Sequence, residues 1–280
     1  MRRKSFGTTI SDIIHYIGLT LYSMIVFIPL LVILIGSFKT NEEFSGTGVL
    51  KLPGNWLNTD NYAKAFIDGK MLLGFTNTAV ILAFSIAATI LTGTMTAYII
   101  NRFQFKGNKL ISGAFLVASL VPSITMQMSI FQIISRLGLF NTRLSTILLF
   151  AGTDIISIFI FMQFLDNISY SIDESTIMDG ASYYGVFFKI LMPLLKPAIV
   201  TVIIIKGVGF YNDFYTPFLY MPKPELAVIS TALFRFKGPY GSQWEVICAG
   251  VIVTIIPVLV IFLLLQKQIY NGLTQGSVKE

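Results

Sequence analysis

Two groups of residues in this sequence have types and spacings suited to chemistry. The first is a polar run between apolar stretches, Glu174-Ser175-Thr176-Ile177-Met178-Asp179-Gly180-Ala181-Ser182. Ser171 and Glu174 have the spacing of a capping box, in which each side chain satisfies a free backbone N–H at a helix start. Asp173 and Glu174 would sit at the positive end of that helix's dipole, and Gly180 can supply the left-handed residue that ends it. The expected product is a helix of about two turns, too short to span a bilayer and poor in apolar surface. It reads either as an ordinary capped loop helix or as a docking element that a soluble partner grips. Small side chains would let that partner approach the backbone closely.

The second group is Asp154, Lys206 and Asp213, ionisable residues inside apolar stretches. Charge is expensive there and is either paired or functional. Lys206 and Asp213 stand seven apart and so near one helical face. They read as a structural ion pair or helix–helix polar contact, or as the polar wall of a solute path. In the second reading Tyr211, Asn212 and Tyr215 add hydrogen bonds and ring faces.

Other chemistry finds no residues to carry it. The sequence has no G-x-x-x-x-G-K-[ST] loop to cradle phosphates and no H-E-x-x-H pair. It has no G-x-S-x-G nucleophile turn. Its one histidine, His15, excludes paired-histidine metal chemistry, and its one cysteine, Cys248, excludes an intrachain disulfide.

The elements that must position these groups are membrane helices. Of 280 residues 54% are apolar and 12% charged, about half the charge of an ordinary soluble domain, and the mean hydropathy is +0.75. Six stretches, 13–38, 71–100, 110–135, 144–165, 197–222 and 246–265, each reach the roughly 20 residues that a spanning helix needs. The first is too long for a signal-peptide core and leaves through Ser37-Phe38-Lys39-Thr40, which offers no cleavage site, so it reads as a retained helix. The expected fold class is therefore an all-α integral membrane protein with six transmembrane helices. We divide it into an N-terminal segment, 1–12, and a single membrane domain, 13–280.

Lysine and arginine totals are nearly even on the two sides, but the dense clusters decide the orientation. Arg2, Arg3 and Lys4, and then Arg102, Lys106 and Lys109, fall on the cytoplasmic side if both termini lie there. The outer loop 39–70 should hold a capped short helix, with Thr59-Asp60 before Asn61 and with Tyr62 and Phe66 on one face. The outer loop 223–245, with Pro224, Gly238, Pro239, Gly241 and Trp244, is turn-rich. The inner loop 166–196 carries the polar run, and Pro193 and Pro197 should bend the chain before the fifth span.

The polar run, followed by Ile190-Leu191-Met192-Pro193, resembles the "EAA" loop of membrane subunits of binding-protein-dependent ATP-binding-cassette importers. More narrowly, the chain is similar to the maltose-type carbohydrate permeases. Asn61-Tyr62, Leu137-Gly138-Leu139-Phe140-Asn141-Thr142, Tyr211-Asn212-Asp213-Phe214 with Pro217, and Gly272-Leu273-Thr274-Gln275-Gly276-Ser277-Val278-Lys279 carry the likeness along the chain. It departs from the pattern at Ser175 and Thr176, where alanines are usual, and at Met192, where leucine is usual. Serine is small, threonine is only modestly larger, and methionine is close to leucine in volume.

The resemblance implies a permease of the bacterial or archaeal cell membrane. A second permease, in a heterodimer, would complete the translocation path. Two ATPase subunits would bind and hydrolyse ATP with Mg, and an extracytoplasmic binding protein would deliver a carbohydrate. No cofactor would bind this chain, which would be no enzyme, and nucleic acid is not an expected partner. Glu174, Ser175, Thr176, Asp179, Gly180, Ala181 and Pro193 would form the ATPase-coupling loop. Tyr211, Asn212, Asp213, Tyr215, Lys206 and Asp154 are the candidate substrate pathway. The alternatives are a permease of the same kind for a solute other than sugar, or a secondary transporter. The latter would show paired inverted repeats and ion-coupling carboxylates, and the sequence shows no convincing repeat.

Overall fold

A computed structural model describes residues 6–275 apart from 153, 239 and 240, without the side chains of 6–14, 123 and 267–275. Arg2, Arg3, Lys4, Pro239 and the Gly276-Ser277-Val278-Lys279 part of the tail lie outside the described residues. The chain is mostly helical. In order it forms α1 (Phe6–Ser37), α2 (Asn41–Gly46), α3 (Asp60–Ile67), α4 (Met71–Arg102), α5 (Asn108–Ser119), α6 (Gln127–Arg136), α7 (Arg143–Ala151) and α8 (Ile155–Asp166). There follow α9 (Tyr170–Met178), α10 (Tyr183–Leu194), α11 (Lys196–Asn212), α12 (Tyr215–Tyr220), α13 (Ile229–Ala232) and α14 (Trp244–Gln275). Three stretches, His15–Ser37, Met71–Arg102 and Trp244–Gln266, are each long and apolar enough to cross a membrane as one helix.

The other three expected spans are not continuous. The 110–135 stretch breaks between α5 and α6 with a 90° bend, where Pro122 lacks the N–H that a helix needs. The 144–165 stretch bends by 42° between α7 and α8, with Gly152 beside the break. The helix expected over 197–222 stops at Asn212. Asp213 turns extended there, and its carboxylate takes the Thr216 N–H at 2.9 Å. What pairs with α11 as a bent unit is α10 before it, at 70°. That bend falls between Pro193 and Pro197, as those prolines require, and Pro197 sits in the first turn of α11, where its missing N–H costs nothing.

Contacts divide the chain into two compact units, 1–71 with 233–257, and 72–232 with 258–280. In the first, most of the long apolar side chains of α1 are exposed, among them Leu19, Tyr22, Phe27 and Leu31. Burial begins at Ile35, and a Cβ on Gly36 would stand 2.9 Å from the Phe44 ring and 3.1 Å from Cys248 Sγ, so a side chain there would have to displace the ring. Lys39 is buried and donates to Gly48 O at 2.8 Å and Thr47 Oγ1 at 3.1 Å. Thr40 and Glu43 make a reciprocal capping box on α2. The backbone N–H groups of Thr40 and Gly54 hold the Glu43 carboxyl below the usual range. The short helix expected after Thr59 is α3, but Thr59 makes no side-chain cap. Its helix is held instead by Asn61, donating to Ser37 O and Lys39 O, and by Tyr62, bonded to Ser37 Oγ at 2.7 Å. Residues 237–238 and 241–242 form a two-residue antiparallel pairing.

The second unit has its core at one end of α4. Ala97 and Tyr98 pack with Phe161 and Leu165 of α8, with Val186, Phe187 and Leu191 of α10, and with Ala198 and Val202 of α11. Residues Val186–Leu191 form a π-turn within α10, a local widening that often marks functional segments.

Candidate functional site

The polar run folds into α9. Its N-cap is Ser169, whose Oγ accepts the Ser171 N–H at 3.3 Å. The capping box expected of Ser171 and Glu174 does not form. Ser169 has a non-helical backbone and takes the cap, so Ser171 falls inside the first turn. Gly180 ends the helix at φ +89°, with the Ala181 N–H donating to Thr176 O at 3.1 Å and the Gly180 N–H to Ile177 O at 2.9 Å. That pair of bonds is a Schellman stop. Ser175 and Thr176 turn their hydroxyls onto Ile172 O of their own helix. Glu174, Ser175, Met178, Asp179 and Gly180 are exposed, Ala181 is half-buried, and Pro193 is exposed on α10. Asp173 alone in this helix is buried, at 2%.

Asp173 faces the end of α4. Its Oδ2 lies 3.1 Å from Arg102 Nε, with both side chains almost fully buried. Burial pushes the Asp173 carboxyl up, and the Arg102 guanidinium opposes that shift only in part. Arg102 also donates from Nη2 to Ile168 O at 2.7 Å, and its Cζ stands 5.7 Å from the Tyr170 ring centre. One residue earlier, Asn101 Nδ2 meets Asp166 Oδ1 at 2.6 Å. From the far side of α9, Phe187 packs on Tyr98 at 5.4 Å and Tyr183 on Phe103 at 5.2 Å. The end of α4 is therefore gripped on both sides of the polar run. A cleft of about 450 Å³ lies there, lined by Tyr98, Asn101, Arg102, Tyr170, Asp173 and Tyr183. Sequence reasoning missed Asn101, Arg102, Asp166 and Asp173 as a cluster. The available signal was an arginine closing an apolar stretch and an acidic loop helix with no basic residue of its own.

The candidate pathway residues do not converge on one point. Lys206 Nζ pairs with Asp154 Oδ1 at 2.7 Å, the side chains 17% and 12% exposed. The Lys206–Asp213 pair expected from spacing is not made, because α11 ends before Asp213. Asp213 instead caps the next turn through the Thr216 N–H and hydroxyl, and its backbone carbonyl accepts from Ser230 Oγ. Asp154 also accepts from Ser157 Oγ at the start of α8. Tyr211 and Asn212 border an apolar groove of about 440 Å³ with Gly207, Val208, Leu259 and Phe262. Asn212 donates to Val208 O of its own helix, and Tyr215 is exposed. His15 is exposed and Cys248 half-buried. Among the described residues no cluster of His, Cys, Asp and Glu has metal-binding geometry.

Residues 89–274 match the family described as "Binding-protein-dependent transport system inner membrane component". The arabinooligosaccharides transport system permease protein of Bacillus subtilis is 29% identical over 95% of this chain and 96% of its own length. A probable starch degradation products transport system permease protein of Thermoanaerobacterium thermosulfurigenes is 30% identical over 96% and 97%. A diacetylchitobiose uptake system permease protein of Streptomyces coelicolor is 27% identical over 93% and 87%. The fold is shared with a chain of a bacterial ABC transporter involved in the import of the acidic polysaccharide alginate. The TM-score is 0.82 at 19% identity, over 95% of this chain and 99% of that one.

Proposed function

The chain belongs to the binding-protein-dependent transport system inner membrane components, and we propose that it is half of the translocation path of an ATP-driven carbohydrate importer. The observation that carries the reading is the near full-length similarity to permeases named for the transport of arabinooligosaccharides and of starch degradation products. In this reading the bent pairs α5–α6 and α7–α8 each serve as one span, α11 begins the fifth with α10 left in the cytoplasmic loop 166–196, and these complete six with α1, α4 and α14. Both termini then lie in the cytoplasm of a bacterial or archaeal cell, and 13–280 acts as one membrane domain.

Mechanistically, α9 is the coupling helix. Its exposed face, Glu174, Ser175, Met178 and Asp179, seats in a groove of an ATPase subunit that binds ATP and Mg. The rigid stop at Gly180 keeps that face at a fixed angle to α10. Closing of two ATPase subunits moves α9, and α9 moves the spans to which it is joined, so that the path opens to alternate sides. Charge on Glu174 and Asp179 gives the docking surface its polarity. A second permease completes the path, and an extracytoplasmic binding protein delivers the sugar.

Purification in mild detergent tests the assembly. We expect an ATPase and a second permease to remain bound to the chain. Isolation of the chain as a fully active transporter without an ATPase would contradict the reading.

A further inference from the structure

Many loop helices are tethered only by their own chain, but α9 is fastened sideways to a span that is not its neighbour in sequence. Arg102 reaches Asp173 and Ile168, Asn101 reaches Asp166, and Tyr98 and Phe103 hold Phe187 and Tyr183. All of the α4 groups fall within the last five residues of that helix or just beyond it. The partners flank α9 before and after, while the chain leaving α10 turns by 70° into α11.

We infer that Arg102 and Asp173 are positioning residues that join α9 rigidly to the end of α4, so that displacement of the docking helix is delivered first to Met71–Arg102. The inference rests on the reading of α9 as the coupling helix. The physical argument is one of stiffness. A long helix resists bending along its axis, whereas a buried ion pair with flanking hydrogen bonds has few alternative geometries, and packed contacts are bistable rather than compliant. A push on α9 therefore moves α4 as a lever instead of being absorbed in the loop.

The test uses the full complex in proteoliposomes, with ATP hydrolysis and solute uptake measured on the same preparation. Asp173→Asn and Arg102→Met should keep the ATPase bound and hydrolysing, while solute taken up per ATP falls about tenfold. A second arm covers variants that assemble poorly. In a Cys248→Ser chain, Arg102→Cys and Asp173→Cys are linked by a short bis-methanethiosulfonate, which forms two reducible disulfides with loss of sulfinate and closes the joint between α4 and α9. Uptake per ATP should be low in the unlinked double-cysteine chain and should rise on linking. Unchanged uptake per ATP in assembled Asp173→Asn and Arg102→Met complexes would overturn the inference. So would uptake per ATP that stays low on linking, or that falls further and returns on reduction, because it would mean that a closed joint does not carry the coupling. If the unmodified complex hydrolyses ATP without any uptake, the coupling reading itself fails, and that outcome is visible before any variant is made.

Discussion

Lys206 of α11 makes its ion pair with Asp154, fifty-two positions earlier at the break between α7 and α8, and not with Asp213 on its own stretch. One turn further along α11, Phe210 stacks on Phe150 of α7 at 4.2 Å. The two contacts together fix α11 across the kink of the 144–165 stretch. Removing one partner of a buried pair leaves an uncompensated charge, at a cost of about 3–5 kcal/mol. We expect Lys206→Met and Asp154→Leu each to lower the yield and thermal stability of the detergent-solubilised chain, and the two together to recover much of the loss. Lys206→Met combined with Asp213→Leu should recover nothing. Recovery with Asp213 rather than Asp154 would contradict the observed pairing.

Gly180 holds φ at +89° with open space around the position of a Cβ. The strain of a side chain there comes from the backbone and not from a clash, and it costs about 1–2 kcal/mol. Gly180→Val should therefore misplace the exit from α9, and Gly180→Asn should be milder because asparagine tolerates the left-handed region. Uptake and ATPase retention, compared between the two variants, check this. Equal loss in both would point to a contact rather than a conformation.

The cap on α9 belongs to Ser169. Ser169→Ala should cost about 0.5–2 kcal/mol, and Ser171→Ala distinctly less. Glu174→Ala should leave thermal stability nearly unchanged, since Glu174 is exposed and has no part in the cap, yet weaken retention of the ATPase. Melting curves beside pull-down yields separate the two effects.

These cases mark what the sequence makes legible. Gly180, Pro193 and Pro197 act through local backbone rules, so the stop and the bend could be read from residue type alone. The apolar stretches could be read too, but a hydropathy window does not register a break such as that beside Pro122. Spacing suggested Lys206 with Asp213 because it assumed one continuous helix. The true partner, like the Arg102–Asp173 pair, joins residues far apart in the chain, and local pattern carries no information on that. Arg102 had a visible meaning as a topology charge, which hid its role at the loop.

Acidity gives a further check on the Arg102–Asp173 pair. Burial raises the Asp173 carboxyl above its ordinary value of 3.8, and Arg102 pulls it partly back. Between the unfolded and the raised folded value, the folded chain binds more protons, so its stability falls as pH rises through that window. Arg102→Met removes the opposing influence and extends the window upward. Its melting temperature in detergent should therefore fall more steeply than that of the unmodified chain as pH rises above the ordinary carboxylate value. Parallel slopes would mean that Asp173 does not feel Arg102.

The central claim is that this chain moves carbohydrate by means of ATP hydrolysed on another subunit. It is tested most directly in proteoliposomes holding the whole complex, with ATP enclosed on the ATPase side and a carbohydrate-loaded binding protein on the other. We predict carbohydrate accumulation that requires hydrolysable ATP and continues when ionophores collapse every ion gradient. Accumulation driven by an ion gradient without ATP, or ATP-driven uptake that accepts only solutes other than carbohydrates, would contradict the account.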